Sequence, residues 1–167
     1  MTATFESRGP DVGVDQVDVF ERTLPRPLPA TYRQFLLDHN GGRTHLWWPP
    51  ERGGPDIGDV DSLYSLGDVE SWRSLTETRE TFSDTLPAVF LAIGDDAGGA
   101  QICLSLQDED YGAVWFYDPD MEFDPAEPTH PNLMRPLCAS FTELLETLEP
   151  SPPPDEALRR IEAAATA

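Results

Sequence analysis

Between Ala88 and Tyr117 the chain repeats one pattern: a short apolar or alternating run, then a cluster of turn-forming residues. Ala88 to Ile93 is a nearly continuous apolar run. Gly94-Asp95-Asp96-Ala97-Gly98-Gly99 has turn chemistry, because glycine reaches backbone angles closed to other residues and aspartate bonds back to its own backbone. Gln101, Cys103 and Ser105 then alternate with Ile102, Leu104 and Leu106, the two-residue period of a half-buried strand. Asp108 to Gly112 turns again, and Ala113 to Tyr117 forms the third run. Three successive strands with short turns predict an antiparallel meander. Leu46 to Pro49 and Leu63 to Leu66 are candidate edge strands.

Helical spacing flanks this centre. Val14, Val17, Phe20 and Leu24 fall on one side of a helix over about Asp15 to Leu24. A second helix begins at Leu28-Pro29, where proline suits the first helical position because its missing N–H would be unpaired anyway. Tyr32, Phe35 and Leu36 share its apolar face, and Asn40-Gly41-Gly42 ends it with residues that accept a left-handed cap. A third helix is predicted over about Asp68 to Asp84, with Val69, Trp72 and Leu75 inward. The fourth opens on a capping box, Ser140 with Glu143, and carries Phe141, Leu144, Leu145 and Leu148 as its stripe. Helices at both ends of the chain packed on a central antiparallel sheet give the α+β class. The expected domain is 14–149. Residues 1–13 lack a pattern and are read as a loose segment. Pro150-Ser151-Pro152-Pro153-Pro154 breaks the chain, leaving 150–167 as a proline-rich tail that ends in a stretch able to form a loose helix.

Charge narrows the partners. The 167 residues hold 31 acidic side chains and 11 basic ones, all arginine, for a net charge of −20. Phosphate contacts need Lys and Arg, so nucleic acid is disfavoured, as are anionic membrane surfaces. A basic partner is favoured. From Glu80 to Met134 there are 12 acidic residues and no Arg or Lys. Among them Asp95, Asp96, Asp108, Glu109, Asp110, Asp118, Asp120, Glu122 and Asp124 fall in or beside predicted turns, so several are expected to share one rim of the sheet. Such a rim speeds association with a cationic protein, or serves solubility alone. Residues 1–20 hold Glu6, Asp11, Asp15 and Asp18 and no apolar run, which disfavours a secretory signal; the cytoplasm is the expected location. Cys103 and Cys138 sit among apolar residues, as buried reduced thiols do.

Against this background four stretches are familiar. Leu28 to Gly42 resembles the "LP..Y..FL...NGG" signature of the SUKH superfamily, which contains the yeast cell-wall synthesis regulator and many bacterial immunity proteins. Ile93 to Leu104 is similar to its "IG.D..G..I" hairpin, Val114 to Asp118 to its next strand, and Ala139 to Leu145 to its closing "A.SF.E.L" helix. Order and spacing agree over about residues 14–148. The resemblance implies an α+β fold without a catalytic residue set and without a cofactor. In bacteria it implies an immunity protein that binds and neutralises a cognate toxin, often a nuclease or deaminase; a regulatory scaffold of the cell-wall-regulator type is the alternative. A monomer is the default.

Two stretches match no signature and are where partner choice would reside: Leu46 to Pro50 and the acidic loop Asp118 to Glu127. In the first, Trp47 and Trp48 precede a Pro-Pro pair. Either one ring enters the core while its neighbour stays near the surface as a binding anchor, or both are packed into the fold. In the second, Met121 and Phe123 form either a small satellite core or a contact patch. A metal-dependent hydrolase built on Asp95 and Asp96 is a third reading, since hard cations take carboxylate oxygens. No third ligand follows at a recognised spacing, and the surrounding glycines account for a turn. His39, His45 and His130 are scattered and form no triad pattern.

Overall fold

The meander is present in the computed structural model, which describes residues 4–53, 59–120, 126 and 133–167. It consists of β3 (Phe90–Asp95), β4 (Gln101–Ser105) and β5 (Val114–Tyr117). Two strands precede it, β1 (Gly42–Trp47) and β2 (Asp59–Leu63); two follow, β6 (Met134–Cys138) and β7 (Glu149–Pro150). All pair antiparallel in the order β6-β5-β4-β3-β2-β1-β7. The two segments read as edge strands only overlap β1 and β2, at Leu46-Trp47 and at Leu63, and those strands lie in the interior of the sheet. Its edges are β6, interrupted by Pro136, and the two-residue β7, which ends on Pro150. Proline has no N–H to offer a further strand.

β4 differs from its predicted half-burial: all five of its residues are buried. Its polar side chains face inward because each has a partner from elsewhere. Tyr64 donates its hydroxyl to Gln101 Oε1 at 2.6 Å, and Ser105 donates to Asp110 at 2.5 Å. Tyr117, in register with Gln101, meets Phe82 edge-on at 5.8 Å and donates to Thr85 at 3.0 Å. Phe82 follows helix α3 (Leu75–Thr81), which lies against β3.

The other helices are α1 (Val14–Glu21), α2 (Ala30–Asp38) and α4 (Phe141–Thr147). Arg33 ties α2 to α1 through Asp18 and Glu21, each at 2.7 Å. Tyr32 packs edge-on against Phe141 at 5.0 Å, joining α2 to α4. Pro29 is the N-cap of α2, one position earlier than predicted. Ser140 accepts the Glu143 N–H at 3.1 Å, as a capping residue does, while Glu143 reaches back to the N–H of Ala139 at 2.9 Å.

The third predicted helix is shorter and its face differs. Ser65 and Ser74 pair in an isolated parallel bridge, which holds the backbone extended at Ser74. A separate 3-10 turn covers Ser71–Arg73, and α3 starts at Leu75 with Ser74 as its N-cap. Leu75 is buried as expected, but Trp72 is 58% exposed.

Asn40-Gly41-Gly42 is a junction as well as a stop. All three have positive φ: 55°, 76° and 125°. A Cβ at Gly41 would lie 2.4 Å from the Tyr64 carbonyl oxygen, and one at Gly42 would lie 2.0 Å from that of Ser7. Only glycine allows backbones to pass so closely. The segment before α1, read as loose, crosses this junction: Glu6 N–H donates to Arg43 O at 2.9 Å and Asn40 Nδ2 to Pro10 O at 2.8 Å. At the other end, helix α5 (Pro154–Ala165) lies against the turn at Pro50–Arg52. Arg160 bonds both Glu51 and Glu149, and its guanidinium carbon sits 4.6 Å from the centre of the Trp47 ring. Cys103 is buried and Cys138 half-buried, both as free thiols. Burial pushes the Cys138 thiol up to about 12, against the hydrogen bond it shares with the Ser140 backbone.

Candidate functional site

Strand polarity sorts the acidic residues into two groups. Asp95 closes β3 opposite Gln101, and Gln101 pairs with Tyr117, so Asp95, Asp96, Asp118 and Asp120 gather at one end of the sheet. Asp59 and Asp61, at the start of β2, extend beyond the Ser62–Asp95 pair toward that same end. Asp108, Glu109 and Asp110 occupy the β4–β5 turn at the opposite end. The five residues of β4, rising ~3.4 Å each, lie between. That separation exceeds the ~8 Å screening length of physiological salt, so the groups act as two patches and not as one rim.

Within each patch the carboxylates do different work. Asp96 is 4% exposed, and its Oδ1 accepts the N–H groups of Gly98 at 2.9 Å and Ala100 at 2.8 Å. This is the local turn bonding expected of aspartate among glycines. Burial nevertheless raises its carboxyl above the usual range, opposed by those N–H groups. Asp95 accepts the Ser62 hydroxyl at 2.7 Å. Burial raises its carboxyl too, with Asp61 and Asp96 adding to the effect against the Ser62 bond. Asp118 accepts the Asp120 N–H at 3.0 Å and is half-buried; Asp120 is exposed. At the far end Asp110 is structural, accepting from Ser105, from Gln107 at 3.1 Å and from the Trp115 indole at 2.6 Å. Asp108 pairs with Arg26 at 2.7 Å, and Glu109 is exposed. Glu122, Phe123, Asp124, Met121 and His130 lie outside the described residues. Among the described residues no group of three or more His, Cys, Asp or Glu is placed to hold a metal ion.

Trp47 and Trp48 are not surface anchors. Each is 3% exposed. Arg43 and His45 of β1 are exposed, so it is not the interior position of that strand that buries the rings but what covers each of them. Trp48 donates its indole N–H to Arg52 O at 2.9 Å, and Trp47 lies beneath Arg160. Among the described residues the exposed large apolar ones are Val14, Val19, Trp72, Tyr111 and Leu158. Trp72 was readable as exposed from Ser74-Leu75-Thr76-Glu77, a capping box that starts the helix beyond it. Val19 sits off the Val17–Phe20 stripe of α1, and that offset is its only signal in the sequence.

The architecture is thus an α+β domain with one antiparallel sheet carrying carboxylates at both ends. The chain belongs to the SMI1/KNR4 family (SUKH-1), whose sequence pattern it matches over residues 12–147. Over 129 residues it is 26% identical to the SPbeta prophage-derived uncharacterized protein YokK of Bacillus subtilis (strain 168). That match covers 65% of this chain and 66% of the relative, just under two thirds of its length. Among the described residues no helix is long and apolar enough to cross a membrane.

Proposed function

We propose that this chain is an immunity protein: it binds a cognate toxin in the cytoplasm and blocks it without making or breaking a covalent bond. Membership of SUKH-1 and similarity to a prophage-derived protein support the class. The observation that carries the partner's chemistry is the clustering of Asp95, Asp118 and Asp120 at one end of the sheet, within a stretch that holds no Arg or Lys from Glu80 to Met134. A predominantly negative patch, in which Arg43 reaches Asp61 at 3.6 Å, attracts a basic protein and raises its association rate by roughly 10–10³. Neutralisation requires a stable interface, of about 1,200–2,000 Å² in total.

Co-expression with the protein encoded by the neighbouring gene tests the reading. The expected result is rescue of growth from that protein's toxicity, with the two chains co-purifying. Toxicity that persists beside soluble, folded chain contradicts it.

A further inference from the structure

Binding driven by charge alone is fast to form and fast to break; residence needs a desolvated apolar anchor. The sheet end described above offers no exposed large apolar residue among the described residues. An apolar surface lies elsewhere, in an open groove of about 490 Å³ between α1 and α3. Phe20 and Leu66, each 5% exposed, lie deepest among the residues lining it, and Val19 lines it from α1 at 59% exposure. Valine at that level of exposure on a helix gains little burial and carries a β-branched side chain that helices disfavour.

The charges around the groove are asymmetric. Arg79 lines it from α3, but its guanidinium donates to the Thr23 carbonyl at 2.9 Å and so ties α3 to α1. Asp15 and Glu80 also line the groove and are exposed, and among the described residues neither has an ion-pair partner. An apolar trough between two helices with unpaired carboxylates beside it has the chemistry of a helix-in-groove site.

We infer that the α1–α3 groove receives an amphipathic basic helix of the partner protein, its apolar side chain against Val19, Phe20 and Leu66 and its Lys or Arg residues against Asp15 and Glu80. This rests on the reading that the chain works by gripping a basic protein, and it names where the grip is made.

The probe is a synthetic helical peptide of leucines and lysines at amphipathic spacing. Two counterparts accompany it, one with serine in place of leucine and one with glutamate in place of lysine. Binding is measured by calorimetry and mapped by amide chemical shifts on the full chain. The Leu/Lys peptide should bind and shift the amides of Val19, Thr23, Thr76 and Glu80, and both counterparts should fail. Val19→Asp adds negative charge, so electrostatics alone would strengthen binding of the peptide; loss of the apolar contact should instead weaken it about tenfold or more. Circular dichroism of the variant checks that this exposed substitution leaves the fold intact. Val19→Leu should retain binding, Glu80→Lys should weaken it, and Asp118→Lys should leave it unchanged. Absence of binding, equal binding of the serine peptide, indifference to Val19→Asp, or shifts confined to the sheet end would each overturn the assignment. The immunity reading is judged separately: a stable toxin complex unaffected by Val19→Asp removes the groove and leaves the function standing.

Discussion

The side chain of Asn40, 1% exposed, donates to the carbonyls of Pro10 and Leu66, each at 2.8 Å, and accepts the Leu66 N–H at 2.9 Å. One amide thereby holds the N-terminal segment, the end of α2 and the chain leaving β2. Asn40→Ala leaves three backbone groups without that partner and places alanine at a positive φ. The expected cost is about 3–5 kcal/mol, read from denaturant unfolding. Ser140→Ala removes a single cap bond and should cost about 1 kcal/mol in the same measurement. Asp95 acts with the opposite sign. Its folded pKa lies above the unfolded value of ~3.9, so between the two values the native state binds more protons than the unfolded chain. Stability then falls as pH rises through that window and stays lower above it. Asp95→Asn keeps an oxygen for the Ser62 hydroxyl. It should raise the melting temperature at neutral pH by a few degrees and reduce the slope of stability against pH above about pH 4. An unchanged pH profile would show that Asp95 is not held against its charge.

Periodicity located α1, α2, α4 and the meander because each places its apolar residues at spacings set by its own backbone. It did not reveal what depends on distant partners. Gln101 and Ser105 alternate like solvent-facing residues and are buried by Tyr64 and Asp110. The bridge between Ser65 and Ser74 shortened the third helix, and no local pattern announces a bridge. β6 and β7 are not legible in the sequence because each contains proline, which argues against a strand until its place at a sheet edge is known. Helix α5 was readable as a helix, but its attachment by Arg160 was not. The family match ends at residue 147, before α5, and α5 has no buried residue. Removal of residues 152–167 should therefore leave a folded chain with nearly unchanged unfolding cooperativity, while acrylamide quenching of Trp47 fluorescence increases as Arg160 leaves its ring. Loss of cooperative unfolding would show instead that α5 is integral to the sheet edge.

The whole chain was legible as α+β and as strongly acidic, since both follow from composition and order. The arrangement of the charge was not. Asp95 and Asp108 belong to neighbouring turns in sequence and to opposite ends of the sheet in space, a consequence of antiparallel strand polarity. Trp47 and Trp48, candidate anchors in the sequence, are both buried, Trp47 beneath Arg160 of α5 and Trp48 within the core. If the sheet end steers a basic partner, Asp118→Lys with Asp120→Lys should slow association by about tenfold at low salt and alter dissociation less. Raising the ionic strength, which shortens the screening length from ~10 Å at 0.1 M to ~3 Å at 1 M, should have the same effect on the unmodified chain. If the chain neutralises a toxin by occupancy, titrating the activity of a toxic product of the neighbouring gene with purified chain measures it. The predicted curve falls linearly to a one-to-one end point, and toxin separated under denaturing conditions and refolded regains full activity. Inactivation that proceeds at a small fraction of an equivalent, with the toxin recovered covalently altered, would contradict it.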